Sequence, residues 1–297
     1  MRRIAPGETM GLAHSGGSAA ETGAGGFCAG VIHRGRALRG VVGRELVRFF
    51  RQPARLGSAI VRPLLWFVVF AAGFQNVFGV SIIPPYTTYI EYREYILPGL
   101  LGMIALFNGM QSSLSMVYDR EMGVMRLLLT APLPRGWLLG FKLLAASLLS
   151  LLQMLVFLAL AAFMGISVSV EHLLPTLAAL SLCACMLAAF GLLLSVSVRQ
   201  LENFAGTMNF VIFPMFFLSS ALYPLWKLEE SGALWIYRLA LINPFTHAVE
   251  TIRFALHGQW PVLAWAVVLG CTLVCFVAAL WGYDPQRGVL RRRAQTG

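Results

Sequence analysis

Charge is what this sequence has least of. Of its 297 residues, 12% are Asp, Glu, Lys or Arg, against about 25% in soluble domains. Hydrophobic residues make up 58%, and the mean hydropathy is +0.73. Those values exclude an ordinary chain of one or two soluble domains and define an integral membrane protein. The only lysines are Lys142 and Lys227, and no G-x-x-x-x-G-K-[ST] occurs. The chain cannot cradle nucleotide phosphates as a P-loop does, so if ATP drives it, another polypeptide binds the ATP. H-E-x-x-H and G-x-S-x-G are absent as well. The long apolar runs lack the mid-membrane acids expected of a proton- or ion-coupled carrier. They also show no repeated halves with paired broken segments. The first 32 residues are rich in Gly, Ala and Ser without an apolar core. They read as a disordered cytoplasmic tail, not a secretory signal.

The five cysteines carry no metal signal. Cys183 and Cys185 share one apolar run, Cys271 and Cys275 another, and Cys28 lies in the tail. None has zinc-type spacing with a histidine, so all read as packing residues.

The formal net charge is +10, but placement matters more than the sum. Of the 23 basic residues, ten precede Pro63 and four lie in the last eleven residues. No stretch offers a folded basic face, which excludes nucleic acid as a partner. Six apolar runs approach the roughly 20 residues that a bilayer core requires. They cover about 59–80, 96–117, 137–166, 173–198, 204–225 and 261–283. With both termini inside, nineteen of the 23 basic residues stay on the inner side, as the positive-inside rule demands. The fold expected is therefore all-α, with six transmembrane helices, N-in and C-in. Its segments are the tail 1–32, a membrane domain over 33–285 and a basic cytoplasmic tail over 286–297.

Before the first run, about 36–52 reads as an amphipathic helix. Arg44, Arg48 and Arg51 fall within about 60° of one another, opposite Val42, Leu46, Phe49 and Phe50. Either this helix lies on the inner leaflet, with arginines at the headgroups, or the arginines are flanking charge before a first span. Pro53 ends or kinks it. Between the fifth and sixth runs, Trp226 to Trp260 is semi-polar, aromatic-rich and broken at Asn243-Pro244. Two short helices dipping into the outer leaflet fit this pattern; a soluble outer cap is the alternative.

A charged island, YDREMGVMRLLLTAPLPRGWLLGFK, separates the second and third runs. Its mixture of charge and apolar residues suits a short amphipathic helix held against a membrane surface or a soluble partner. The sharpest enzyme-like constellation is His247, Glu250 and His257, which could share one helical face. His257 lies about 15 Å along the axis from His247, too far for one metal to bind both. A membrane metalloenzyme on the His247/Glu250 face, or a stand-alone channel, is the alternative to a coupled subunit. Asn209 reads either as an interhelical hydrogen-bond donor or as a contact on a transport path.

Three ordered stretches carry a resemblance. DREMGVMRLLLTAPLPRGWLLGFKLL, NFVIFPMFFLSSALYPL and INPFTHAVETIR together resemble the ABC-2 type permeases, the membrane subunits of ABC exporters, over about residues 36–285. The resemblance implies a bacterial inner-membrane, multi-pass permease that is not itself an enzyme. It implies a dimer of permeases coupled to separate ATP-binding subunits, with ATP and Mg on those subunits and no cofactor on this chain. The helix bearing Arg44, Arg48 and Arg51 would be the interface helix. The island would hold the coupling helix, with Glu121, Gly123 and Pro132 as determinants of the dock and Asp119 and Arg126 beside them. Asn209, Pro214, Pro224, Asn243, Pro244, Glu250 and Arg253 would belong to the transport path or outer gate, and Trp226–Trp260 to outer re-entrant helices. Phe141 stands where the family often has Gly. More narrowly, the chain looks similar to permeases associated with PQQ-dependent alcohol catabolism.

Overall fold

The computed structural model describes residues 22–51, 53–74, 84–86, 90–123, 134–166, 169–198 and 201–283. The outer parts of both expected tails, 1–21 and 286–297, lie outside these residues. Contacts divide the chain into Met1–Gly40 and Val41–Gly297.

The first unit contributes the N-terminal turns of α1 (Thr22–Phe50). Residues 22–32, expected to be disordered with the rest of the tail, are thus helical. No proline occurs between Thr22 and Gln52, and extending an existing helix backwards costs far less than nucleating one.

In the second unit α1 ends at Phe50 and α2 (Pro53–Phe74) begins on Pro53. Proline suits that first helical position because its missing N–H would be unbonded there anyway. Four described helices are long and apolar enough to cross a membrane. They are α3 (Tyr92–Glu121), α4 (Arg135–Phe163), α5 (Leu173–Ser197) and the last helix, α10 (Val262–Gly282). In the other two expected spans the apolar helix is shorter, Val61–Phe70 within α2 and Gly206–Phe217 within α6 (Leu201–Phe217).

The expected run over 204–225 is not one helix. It stops at Phe217 and turns through residues 218–223. Pro214 removes one backbone donor from the last turn. The Ser219 hydroxyl then donates to Phe216 O at 2.6 Å and accepts from Ala221 N at 3.2 Å. Three short helices follow: α7 (Leu225–Glu230), α8 (Leu234–Ile242) and α9 (Pro244–Leu256). The expected break at Asn243-Pro244 is the α8–α9 junction.

Helix α3 sits at the centre of the core, with its apolar residues from Ile96 to Leu106 buried. Against α5 it packs backbone to backbone. A Cβ on Gly191 would lie 2.2 Å from Gly109 O, and one on Gly109 would lie 2.4 Å from Leu187 O. Neither distance admits a side chain, so two isolated glycines set this helix separation. At one end of α10, Gly282 makes room for the Val196 side chain of α5, with a Cβ position 2.4 Å from Val196 Cγ1. Gly191→Leu is expected to force α3 and α5 apart and destabilise the protein by about 1–3 kcal/mol, the usual range for overpacking. A thermal unfolding midpoint in detergent equal to that of the unchanged protein would contradict this account.

Candidate functional site

Two junctions gather the polar residues that the sequence singles out, one at each end of α3. The first is built by three consecutive residues, Asp119, Arg120 and Glu121. Asp119 is buried and forms an ion pair with Lys142 of α4, which is buried too. Arg120 reaches the end of α5, donating to Ser195 O at 3.1 Å and to Val198 O. Ser195 Oγ also shares a 2.7 Å hydrogen bond with the Tyr283 hydroxyl beyond α10. Glu121 Oε1 accepts from Leu201 N at 2.8 Å. The carboxylate therefore caps the first turn of α6, where a negative charge also meets the positive end of the helix dipole. One helix turn thus grips α4, α5 and α6 through three side chains.

The chain leaves this junction through Gly123, whose φ of +74° is in the region that favours glycine. Arg126 and Pro132 lie in 124–133, outside the described residues. Of the residues expected to dock a partner, Asp119 is turned inward and Glu121 holds α6. Among the interface-helix arginines, Arg48 turns toward α3 and donates to Ser115 Oγ at 3.4 Å. Arg44 pairs with neighbouring Glu45 at 3.1 Å, and Arg51 is exposed. Phe49 is buried, whereas Phe50 is exposed.

The second junction surrounds the turn after α6. Arg253, 3% exposed, pairs with Glu250 and donates to Ser220 O at 2.8 Å. Its guanidinium lies 4.1 Å from the centroid of the Tyr95 ring, a cation–π contact. The Tyr95 hydroxyl donates to the same carbonyl at 3.0 Å, and the Tyr92 hydroxyl donates to Leu222 O at 2.8 Å. Asn243 serves both sides of the turn. Its Oδ1 accepts from Phe245 N at 3.0 Å and caps α9, while Nδ2 donates to Met215 O at 2.8 Å and Leu218 O at 2.6 Å. Pro244 occupies the first turn of α9, and Pro224 is the buried residue before α7.

Asn209 and Pro214 do not join this cluster. Both are exposed on α6, beside exposed Phe210 and Phe213. Asn209 makes no hydrogen bond among the described residues. The His247–Glu250 face is tied into hydrogen bonds. Glu250 is held by Arg253, His247 Nε2 donates to Leu241 O at 3.0 Å, and His257 Nδ1 bonds Arg253 O at 3.0 Å. No group of three His, Cys, Asp or Glu able to hold a metal occurs among the described residues.

Residues 36–257 match the ABC-2 type transporter family. The chain belongs to that family. It is 30% identical over 224 residues to the ycf38 protein of Cyanophora paradoxa, whose name describes a transport permease; 74% of each chain is covered. The daunorubicin resistance ABC transporter permease protein DrrB1 of Streptomyces coeruleorubidus is 25% identical over 225 residues, covering 72% of this chain and 73% of its own. YbhR of Escherichia coli, whose name describes a multidrug ABC transporter permease, is 26% identical over 203 residues, covering 62% and 52% respectively. The protein is the membrane permease subunit of an ABC transporter. Family membership implies in general a partner subunit that binds ATP.

Sequence reading missed the partner of Asp119 and the roles of Arg120, Tyr92 and Tyr95. Removing one member of the buried Asp119–Lys142 pair leaves an uncompensated charge, so Lys142→Met is expected to cost about 3–5 kcal/mol. The double variant Asp119→Leu/Lys142→Met should recover most of that loss in unfolding measurements. A double variant no more stable than Lys142→Met alone would show that the pair is not what the single variant breaks.

Proposed function

We propose that this permease is the inner-membrane half of an exporter, working as a dimer with two separate ATP-binding subunits that hold ATP and Mg. The single observation that carries the coupling part of this reading is the three-way grip of Asp119, Arg120 and Glu121 on α4, α5 and α6. It sits at the mouth of the 124–133 segment, which in this reading holds the coupling helix, with Arg126 and Pro132 on it. A push on that segment would enter α3 at Gly123 and pass at once into three other helices.

In this reading the chain spans the membrane six times with both termini inside. Helices α2 and α6 complete the set, and the bilayer covers the exposed apolar faces. The concentration of arginine and lysine at the ends assigned to the inner side supports that orientation. The helix carrying Arg44, Arg48 and Arg51 lies along the inner leaflet beside the docked subunit. Helices α8 and α9 enter the outer leaflet without crossing it, and the turn held by Asn243, Glu250 and Arg253 forms part of the outer gate. ATP binding draws the two ATPase subunits together, and the path between the permeases changes from inward-open to outward-open. This chain contributes no hydrolytic chemistry. Export as the direction rests on the family resemblance.

Co-purification in mild detergent tests the partner directly: an ATP-binding subunit should remain bound and hydrolyse ATP. Charge reversal within the coupling segment, Arg126→Glu, is expected to release that subunit. Glu121→Lys is expected to leave it bound but to disconnect hydrolysis from transport, because the lost contact is to α6 and not to the partner. Undiminished transport by Glu121→Lys in vesicles would remove the α6 cap from the mechanism.

A further inference from the structure

A polar cleft between α2, α3 and α4 meets the first junction only at Lys142. One part, with room for about 20 Å³, is lined by Arg62, Phe107, Asn108, Gln111 and Gln153. An adjoining part, with room for about 30 Å³, shares Asn108 and Gln153 and extends toward Ser112, Ser115 and Lys142. Each part has space for one or two oxygen atoms.

The walls of this cleft hold a buried donor that has no acceptor among the described residues. Asn108 Nδ2 donates to Gln153 Oε1 at 2.7 Å, which occupies the carbonyl end of the Gln153 amide. The amide nitrogen of Gln153 is buried without a partner, on a side chain only 5% exposed. The Arg62 guanidinium lies 4.2 Å from the Phe107 ring centroid. It has no acidic group within ion-pair distance among the described residues. The charges nearby are already matched, Lys142 with Asp119 and Glu45 with Arg44. A cation within a membrane-spanning helix normally has a partner, and a buried amide N–H normally has an acceptor. Here both open onto one cleft.

We infer that this cleft binds the phosphate or carboxylate oxygens of a membrane amphiphile whose headgroup is net negative, with Arg62 supplying the charge and Gln153 a hydrogen bond; a zwitterionic headgroup, whose own cation offsets its phosphate, binds more weakly. The cleft is open on one side, so only the oxygen edge of the headgroup enters. Exposed apolar side chains are available for the tail, Leu65 and Val69 on α2 and Leu148 and Leu152 on α4. Two sources offer this chemistry, an anionic phospholipid of the bilayer and an acidic amphiphilic cargo.

The test is a thermal unfolding titration of the full-length chain in a zwitterionic detergent with three separate probes: phosphatidylglycerol, phosphatidylcholine and a medium-chain fatty acid. Phosphatidylglycerol should raise the midpoint at concentrations where phosphatidylcholine does not. Arg62→Gln should weaken that response about tenfold or more, the effect of losing one hydrogen bond to a charged group. Gln153→Leu should weaken it less, and Arg62→Lys should retain part of it. A response to phosphatidylglycerol alone identifies a lipid site, and competition by the fatty acid identifies one that also takes a carboxylate cargo. Equal stabilisation by phosphatidylcholine would overturn the inference, as would wild-type titrations in both Arg62→Gln and Gln153→Leu. Should Arg62→Gln not fold, the lipid comparison and Gln153→Leu decide the question alone.

Discussion

A helix that stops inside an apolar bundle leaves its last carbonyls without donors, and neither lipid nor neighbouring aliphatic side chains can supply any. The breaks in this fold exist because side chains from other helices take up those carbonyls. At the end of α5 the donor is Arg120, and the next helix starts on a cap from Glu121. After α6 the donors are Tyr92, Tyr95, Asn243 and Arg253. Charged donors such as Arg120 and Arg253 make the stronger bonds, and burial strengthens them further.

The two sets of donors give α3 a particular standing. Its first turns bind the segment that follows α6, and its last turn caps the start of α6, so α6 is fastened at both ends to one helix. With 30 residues, α3 extends about 45 Å, enough to connect the two faces of a bilayer. Close packing on α5 at Gly109 and Gly191 stiffens its middle. In the proposed mechanism a displacement entering at Gly123 is therefore carried along α3 to the opposite end of α6. The other exit from the first junction leads through Lys142 into α4, whose face borders the polar cleft.

Much of this was legible in the sequence because hydropathy, proline and charge placement act over short stretches. The long apolar helices, the end of α1 just before Pro53 and the Asn243-Pro244 break followed from such local signals. Three stretches carried the family resemblance, and residues 36–257 match that family. What escaped were relations between distant residues. Asp119 reads as a docking charge when its only visible neighbours are charged, yet its partner is Lys142 on the next helix. Tyr92 and Tyr95 carry no signal of their own in the sequence, because their hydroxyls act on the turn after α6, more than a hundred residues away. Gly109 and Gly191 belong to no motif, since each matters only through the other. Hydropathy also runs straight through residues 218–223, because it weighs side chains and cannot register which backbone carbonyls have found donors.

The separations along the chain also impose an order on assembly during synthesis. Lys142 follows Asp119 by 23 residues, so the acid gains its counter-charge as soon as the first turns of α4 are made. The acceptors of Arg120 arrive later, 75 and 78 residues downstream, and the amide capped by Glu121 follows at 80. The carbonyl shared by Tyr95 and Arg253 comes 125 residues after the tyrosine, and Arg253 later still. A nascent chain therefore closes its first junction while the second has no turn to bind. Until α9 emerges, the turn after α6 has only Tyr92 and Tyr95 as its donors, without Asn243 and Arg253.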